Sequence, residues 1–195
     1  AVNAIKDPST GELSHTENKV TTVNINNGSV RNVFGAGLGQ EAVAEPAAPA
    51  IVAQNFGNTT VNVAGGTVST AVYGGANDDG VLKGDATVTI TGGTVGTNWG
   101  GSVPSIMPSV VFGGGKGELT KVEGSVVVNI GKMMAGESPT YTGSATLWGS
   151  VYGGSAFGDV NAKQDGANVV YSGNGAATTV NILKGTVKGS IYGGG

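Results

Sequence analysis

The chain has 195 residues, a net charge of −3 and no cysteine. This length indicates one domain, and the absence of thiols excludes a disulfide scaffold or a thiolate metal site. The ten basic residues are scattered and include a single arginine, Arg31. They form no basic stripe of the kind that neutralises phosphates, so we expect no nucleic-acid partner. No apolar run approaches the roughly 20 residues of a membrane-spanning helix.

Glycine is unusually frequent and charge is sparse. The chain contains 37 glycines, 38% apolar residues and only 12% charged residues. Disordered chains are rich in charge and poor in apolar residues, which is the opposite balance. Many β-branched residues together with many glycines are typical of short strands joined by tight turns. The composition therefore favours an all-β protein.

The first predicted strands follow a polar N-terminal segment. Residues 1–19 contain a turn signal at Asp7–Gly11. Residues 20–26 then alternate, with Val23 and Ile25 on one face, which is the signature of a half-buried strand. Asn27-Gly28 predicts a turn, and residues 30–34 predict a second strand.

This pair of phrases recurs along the chain. Each second phrase ends in an aromatic residue that follows Val or Ile and precedes Gly, and successive rings are 39, 39, 40 and 40 residues apart. The rings are Phe34, Tyr73, Phe112, Tyr152 and Tyr192. Such a period indicates a repeat architecture. We predict one unit, residues 1–195, of five repeats with approximate bounds 1–39, 40–78, 79–117, 118–157 and 158–195.

Each repeat divides into a core of about 27 residues and one insertion of about 12. The insertion precedes the first phrase in repeats two and five, and separates the phrases in repeats three and four. We assign Asn98–Pro108 to the insertion of repeat three and Ala135–Trp148 to that of repeat four. A third strand is predicted at Ala50–Phe56, after a loop with two prolines, and Asn168–Tyr171 takes the matching place in repeat five.

Stacking the repeats would bury their apolar faces. One repeat alone has open strand edges, and pairing each strand with its equivalent, about 4.8 Å away, removes most of them. Two inward rows follow, namely Val23, Val61, Val88, Val128 and Val180, and Ile25, Val63, Ile90, Ile130 and Ile182. The predicted fold is an all-β parallel β-solenoid, or β-helix, right-handed, with five coils and one insertion loop in most coils. The five aromatic residues are interpreted as a structural packing ladder at a coil corner.

The phrase Thr-Val-Asn-Ile, Gly-Gly-Thr-Val, Val-Tyr-Gly-Gly resembles the Gly-rich β-solenoid repeats of bacterial cell-surface proteins. These include autotransporter passenger regions, filamentous-haemagglutinin-type adhesins and repetitive surface proteins of gut Bacteroidetes. The resemblance covers the chain except the first 19 residues and the insertions. It implies an extracellular or cell-surface location and a structural role, as a stiff shaft and presentation scaffold of an adhesin or fibre. No catalytic or cofactor-binding residue carries over, because none of these motifs is catalytic.

Two alternatives remain open. The first is a self-assembling fibre subunit joined end to end through open coil ends. The second is a carbohydrate-binding or carbohydrate-active β-helix protein. The only histidine, His15, lies in the polar N-terminal segment, and Gly-x-Ser-x-Gly is absent, so we expect no enzyme. The expected partners are neighbouring repeats, or a host or bacterial surface protein or glycan.

Three further sets of residues are candidate sites. Asp78, Asp79, Glu118 and Asp159 follow glycine clusters and are candidate Ca²⁺ ligands, with Asp78, Glu118 and Asp159 expected along one edge; the alternative is turn charge that blunts strand edges. Trp99 and Trp148 lie in the insertions of adjacent repeats, where they form one interaction patch or each cover their own loop. The outward row Asn24, Asn62, Thr89, Asn129 and Asn181 predicts an amide ladder. No metal or cofactor other than Ca²⁺ is expected.

Overall fold

The computed structural model describes residues 4–14, 19–136, 138, 140–165, 168–170 and 175–195, and this part of the chain is all-β and contains no helix. The first strands are β1 (Ile5–Lys6), β2 (Leu13–Ser14), β3 (Val20–Ile25), β4 (Ser29–Phe34), β5 (Ala53–Asn55), β6 (Asn58–Val63), β7 (Thr67–Tyr73), β8 (Asn77–Leu82), β9 (Ala86–Ile90), β10 (Thr94–Val95), β11 (Ser109–Phe112) and β12 (Lys116–Val122). The remaining strands are β13 (Val126–Ile130), β14 (Lys132–Met134), β15 (Thr140–Thr142), β16 (Thr146–Leu147), β17 (Ser150–Tyr152), β18 (Asp159–Val160), β19 (Lys163–Asp165), β20 (Asn168–Val170), β21 (Thr178–Ile182), β22 (Thr186–Val187) and β23 (Ile191–Tyr192).

Sheet I collects the first phrase of every repeat. Its parallel strands run in the order β3, β6, β9, β13, β21. Val61 lies opposite Val23 on one side and Val88 on the other, and the pairing continues in the same register to the last repeat. The predicted valine and isoleucine rows are therefore confirmed. Because apolar residues alternate along each strand, their side chains all point to the same face of sheet I, which is the face towards the core.

Sheet II collects the second phrase of every repeat. In repeat two, the single strand β7 pairs along its length with β4. Repeat three pairs with β7 through two shorter strands, β10 and β11, and repeats four and five continue this division. Sheet III contains β5, β8, β12 and β18 and is also parallel. Along the chain, strands of sheets III, I and II follow one another in rotation.

The core lies mainly between sheets I and II. Its fully buried residues include Val61, Val88 and Ile90 from sheet I and Val68 and Val72 from sheet II. A smaller cluster, formed by Leu82, Val122, Ala86 and Val126, joins sheets III and I. Burial is complete in the middle repeats and falls at the last one, where Ile182 is 44% exposed.

The insertions leave the stack at four different places. Val68 and Val72 of repeat two are four residues apart, whereas their partners Val95 and Val111 are sixteen apart, so the loop of repeat three adds twelve residues. In repeat four, the added residues contain an antiparallel hairpin, β14–β15, after sheet I. In repeat two, the loop lies between Leu38, which bridges to Asn77, and Ala53, which pairs with Gly80, so it leaves beside sheet III. Repeat five inserts its loop between β18 and β21.

Two segment assignments made from the sequence are wrong. The insertion of repeat four does not extend to Trp148, because Thr146 and Leu147 pair with Thr94 and Val95 in sheet II. The segment that begins at Asn168 is not the third strand of repeat five, because it pairs with β19 in an antiparallel hairpin, and Tyr171 lies outside the described residues. The equivalent of the third strand is β18, which pairs with Lys121 and Val122. Short β-prone segments have the same local composition inside and outside a stack.

The glycine that follows each aromatic residue is required by close packing between repeats. A Cβ at Gly74 would lie 2.1 Å from the carbonyl oxygen of Gly113, and one at Gly113 would lie 2.3 Å from that of Gly153. These glycines do not adopt positive φ, unlike Gly66 (φ 76) in the turn between sheets I and II. The chain thus uses glycine for two purposes, contact between repeats and left-handed turns.

Candidate functional site

The two tryptophans of the chain meet beside sheet II. Trp99 lies in the loop of repeat three, and Trp148 follows β16 of repeat four. Their ring centroids are 5.4 Å apart and their planes meet at 74°, an edge-to-face contact of the kind that aromatic quadrupoles favour. Both side chains are partly exposed. The structure therefore brings together the pair that the sequence singled out.

Gly96 begins the loop that carries Trp99. Its φ is 83°, and a Cβ there would lie 2.8 Å from Cγ1 of Val110 and 3.0 Å from the carbonyl oxygen of Trp148. Glycine adopts this left-handed conformation without steric cost, whereas other L-residues are strained in it. The chain therefore leaves sheet II sharply at this position, and the loop turns back beside Trp148.

Hydrogen bonds to the neighbouring repeats hold both ends of the loop. The Thr97 hydroxyl donates to the Ser69 carbonyl oxygen (3.2 Å), and the Ser150 amide donates to the Pro108 carbonyl oxygen (2.7 Å). At the tip, Gly100 and Gly101 have positive φ and face open space. The base is thus fixed to the sheet, while the two tip glycines have room for side chains.

A cavity of about 680 Å³ lies between this loop and the outer face of sheet II. We call it the tryptophan groove. It is lined by Ser69, Thr70, Gly96, Thr97, Asn98, Trp99, Ser102, Pro104, Ile106, Pro108, Ser109 and Val110. None of these residues carries a charge, and the polar ones contribute hydroxyl groups or an amide. Trp148 contacts Trp99 but does not line the groove.

The indole nitrogen of Trp99 is buried and has no hydrogen-bond partner among the residues that the structure describes. An unpaired buried donor costs about 1–3 kcal/mol because it has lost its hydrogen bonds to water. The ring is therefore held at the groove wall with one polar group unsatisfied. This feature separates Trp99 from an ordinary packing residue, whose polar atom finds a partner when buried.

Sequence reasoning missed two residues of this site, Gly96 and Lys188. The Lys188 ammonium lies 5.5 Å from the centroid of the Trp148 ring, within the range of a cation–π contact. Because Leu147 pairs with Val187, Lys188 occupies in repeat five the position that Trp148 occupies in repeat four. Aligning these repeats strand by strand would have identified Lys188.

The five aromatic residues form one stack on sheet II. The centroids of neighbouring rings are 4.7, 5.0, 5.2 and 4.6 Å apart, and each pair is nearly parallel. Tyr73 and Phe112 pack with Ala71 in a cluster separate from the main core. Val72, which lies between Ala71 and Tyr73 in the sequence, points the other way and belongs to the main core. Burial raises the pKa of Tyr73. Among the described residues, the ring faces cover one another, and Phe34 and Tyr192 at the two ends each have a single stacked neighbour.

The acidic candidates do not form one row. A bulge in β12 places Leu119 opposite Asp79 and Lys121 opposite Asp159, so Asp159 is displaced from Glu118 along the strand. The expected alignment of Asp78, Glu118 and Asp159 is wrong for this reason. Burial raises the pKa of Asp79, which is 7% exposed, and the positive charge of Lys121 opposes this shift. Among the described residues, no group of three His, Cys, Asp or Glu side chains could hold a metal ion.

The outward polar row of sheet I forms an interrupted amide ladder. Asn62 donates to Asn24, and Asn181 donates to Asn129, each at 2.9 Å, whereas Asn129 and Thr89 are 3.5 Å apart. A cavity of about 780 Å³ lies over this row, with Lys132 and Met133 among its lining residues. The amides bond mainly to one another, which suits a row that fixes strand register.

His15 and Tyr171 lie outside the described residues. Within the residues that are described, no helix has the length and apolarity needed to cross a membrane. Comparison of the chain with protein-family models, curated proteins and solved structures gives no match.

Proposed function

We propose that the chain is a right-handed parallel β-solenoid of five coils. Three observations support this fold: the rotation of the chain through sheets III, I and II, the parallel pairing of equivalent strands, and the core enclosed between sheets I and II. Parallel strands need crossover connections, and such connections within one sheet are right-handed in about 98% of cases. Each repeat then completes one turn, and each sheet forms one side of the coil.

We infer that this solenoid is a structural region of a bacterial surface adhesin or extracellular fibre. The observation that carries the inference is the uninterrupted register of equivalent residues from Val23 to Val180. In-register ladders give a stiff body, and loops that leave its sides can present recognition surfaces. The resemblance of the repeated phrase to bacterial surface β-solenoids supports the extracellular location. The role is mechanical reach and presentation, without catalysis.

A shaft of this kind should tolerate removal of a loop. Deleting Thr97–Pro108 joins Gly96 to Ser109 and gives repeat three the four-residue interval found between Val68 and Val72. Closing a loop of this length costs only a few kcal/mol, so we expect the deletion variant to unfold within a few degrees of the parent in thermal circular dichroism. Loss of the cooperative transition would instead make the loop part of the core and contradict a presentation role.

The second candidate function is a fibre subunit that joins end to end. Gly35, Gly74, Gly113 and Gly153 each face the carbonyl oxygen of the equivalent glycine in the next repeat, whereas no atom of the described residues lies within 4 Å of a Cβ at Gly193. Beside Gly193, Ile191 and Tyr192 are each 47% exposed. This end of the stack therefore presents the same surface that joins repeats within the chain, and its occupant would be the first repeat of a second copy.

Substitution of Gly193 by alanine tests this joining. We expect the wild-type chain to form larger species as concentration rises in sedimentation velocity. The Gly193→Ala chain should remain monomeric, because its methyl group would meet the incoming carbonyl oxygen at about the 2.3 Å found for a Cβ at Gly153. Circular dichroism should show the same fold for both chains. A wild-type chain that stays monomeric at every concentration, or a variant that associates equally well, would exclude the end-to-end mode.

A further inference from the structure

We propose that the tryptophan groove binds a neutral sugar residue of a glycan, with Trp99 as the aromatic surface on which the sugar lies. The argument rests on the groove's own residues and does not depend on the mechanical role of the stack. It names a ligand class and one contact residue. It also gives Trp148 and Lys188 a separate role, which is to position Trp99.

The lining of the groove matches the two surfaces of a pyranose ring. The face of an aromatic ring is electron-rich, so it attracts the weakly positive C–H groups on one face of a sugar. Around Trp99, the groove supplies the hydroxyl of Thr70 and the side-chain nitrogen of Asn98, whose oxygen accepts from the Gly100 amide. The hydroxyls of Ser69 and Thr97 donate to carbonyl oxygens of the chain, and their oxygens can still accept. Hydroxyls and amides both donate and accept hydrogen bonds, as the hydroxyl groups at the edge of a sugar require.

The absence of charge in the groove lining favours a neutral sugar over an acidic one. None of the twelve lining residues is Asp, Glu, Lys or Arg, so a carboxylate in the groove would lose hydration without gaining an ionic partner. The volume of about 680 Å³ lies within the range of small-molecule sites, roughly 300–1,000 Å³. The groove therefore has room for one or two sugar residues.

Trp99 is better suited to this contact than the aromatic stack. In the stack, neighbouring rings are nearly parallel at about 5 Å, so their faces are occupied by each other. Trp99 instead meets Trp148 at 74°, and an edge-to-face contact does not cover both faces of both rings. Trp148, held by the Lys188 ammonium, acts as a positioning residue that fixes the plane of Trp99.

The unpaired indole N–H of Trp99 gives the bound state an additional hydrogen bond. The donor is enclosed without an acceptor in the described part of the chain, and the loop that carries it has open space beside Gly100 and Gly101. A small shift of this loop on binding would bring the N–H to a sugar oxygen. The cost of the unsatisfied donor would then be removed only in the complex, which favours binding.

The test uses the whole 195-residue chain and a panel of neutral hexose, fucose and N-acetylhexosamine oligosaccharides, with sialylated forms of the same oligosaccharides for comparison. The chain contains two tryptophans, so intrinsic fluorescence reports on this site, and calorimetry gives the affinity. We expect at least one neutral oligosaccharide to bind with a shift in emission. Its sialylated form should bind no more tightly.

Trp99→Ala should weaken this binding at least tenfold, and Thr70→Val, which removes a hydroxyl with little change in shape, should weaken it severalfold. The matched control is Phe157→Ala, which removes an 81% exposed aromatic residue outside the groove and should leave the affinity unchanged. Trp148→Phe should lower affinity less than Trp99→Ala and change the emission of Trp99. Failure of all neutral sugars to bind, binding that survives Trp99→Ala, or Trp99-dependent binding of a protein instead would each overturn the proposal.

Discussion

Replacing Gly74 with alanine should prevent the repeats from stacking. The new methyl carbon would lie 2.1 Å from the carbonyl oxygen of Gly113 and 3.1 Å from Cγ2 of Val88. The first atom belongs to the backbone directly after β11, where the Gly74 amide bonds to the Phe112 carbonyl and the Gly113 amide bonds to the Tyr152 carbonyl, so it cannot move away without breaking hydrogen bonds between repeats. We expect a loss of more than about 4 kcal/mol in the free energy of unfolding, a size confined to severe steric or packing defects.

The matched control for this effect is Gly193→Ala, at the equivalent position of the last repeat. Within the described part of the chain, no atom lies within 4 Å of its Cβ position, so the same chemical change should leave the monomer nearly as stable as wild type. Urea unfolding monitored by circular dichroism, at a concentration where the chain is monomeric, gives both values. Equal effects at Gly74 and Gly193 would show that alanine acts through backbone conformation and not through contact between repeats.

Removing the central ring of the aromatic stack should have the second largest effect. Phe112 is 7% exposed and stacks on Tyr73 at 5.0 Å and on Tyr152 at 5.2 Å. Phe112→Ala should destabilise the chain by about 3–5 kcal/mol, the usual cost of deleting a buried phenylalanine. The remaining rings cannot close the gap, because strand pairing holds them two repeats apart.

Tyr192→Ala is the control for the stack. Tyr192 is 47% exposed and has one stacked neighbour, Tyr152, at 4.6 Å, so its removal should cost only about 1 kcal/mol. Chemical denaturation of the two variants measures the difference. If Phe112→Ala cost no more than Tyr192→Ala, the rings would contribute surface area and no cooperative stack.

Much of the fold was predictable, because the alternation of apolar residues that indicates each strand also indicates which side chains pack in the core. The alternation at Val61 and Val63 states which face is inward, and its recurrence states which strands pair. The spacing of the aromatic residues then fixed the register. Contact between the two tryptophans was one of two interpretations of the sequence, because both were assigned to insertions of adjacent repeats, although Trp148 in fact follows β16 directly.

The rest depended on information that a strand pattern does not carry. β16 is two residues long, so its identity comes from the partners Thr94 and Val95 and not from its own composition. The bulge in β12 shifts its pairing with β8 by one residue. Gly117, with φ 118°, lies in the bulge, but an isolated glycine in a strand pattern indicates a bulge without giving the register that follows it. The groove likewise depends on the direction in which the loop leaves sheet II at Gly96. That direction is limited by Val110 and by Trp148 of the neighbouring repeat, so it cannot be read from the loop's own sequence.

The constant added length of the loops has a consequence for how such a chain can change. Loops leave the stack at a different place in each of repeats two to five, yet the aromatic residues keep a spacing of 39 or 40. An exchange of gene segments between two repeats would therefore preserve the phase of every strand. It would also move a loop, with whatever it binds, to another level along the stack. The architecture allows new surfaces to be assembled by recombination without a new core having to fold.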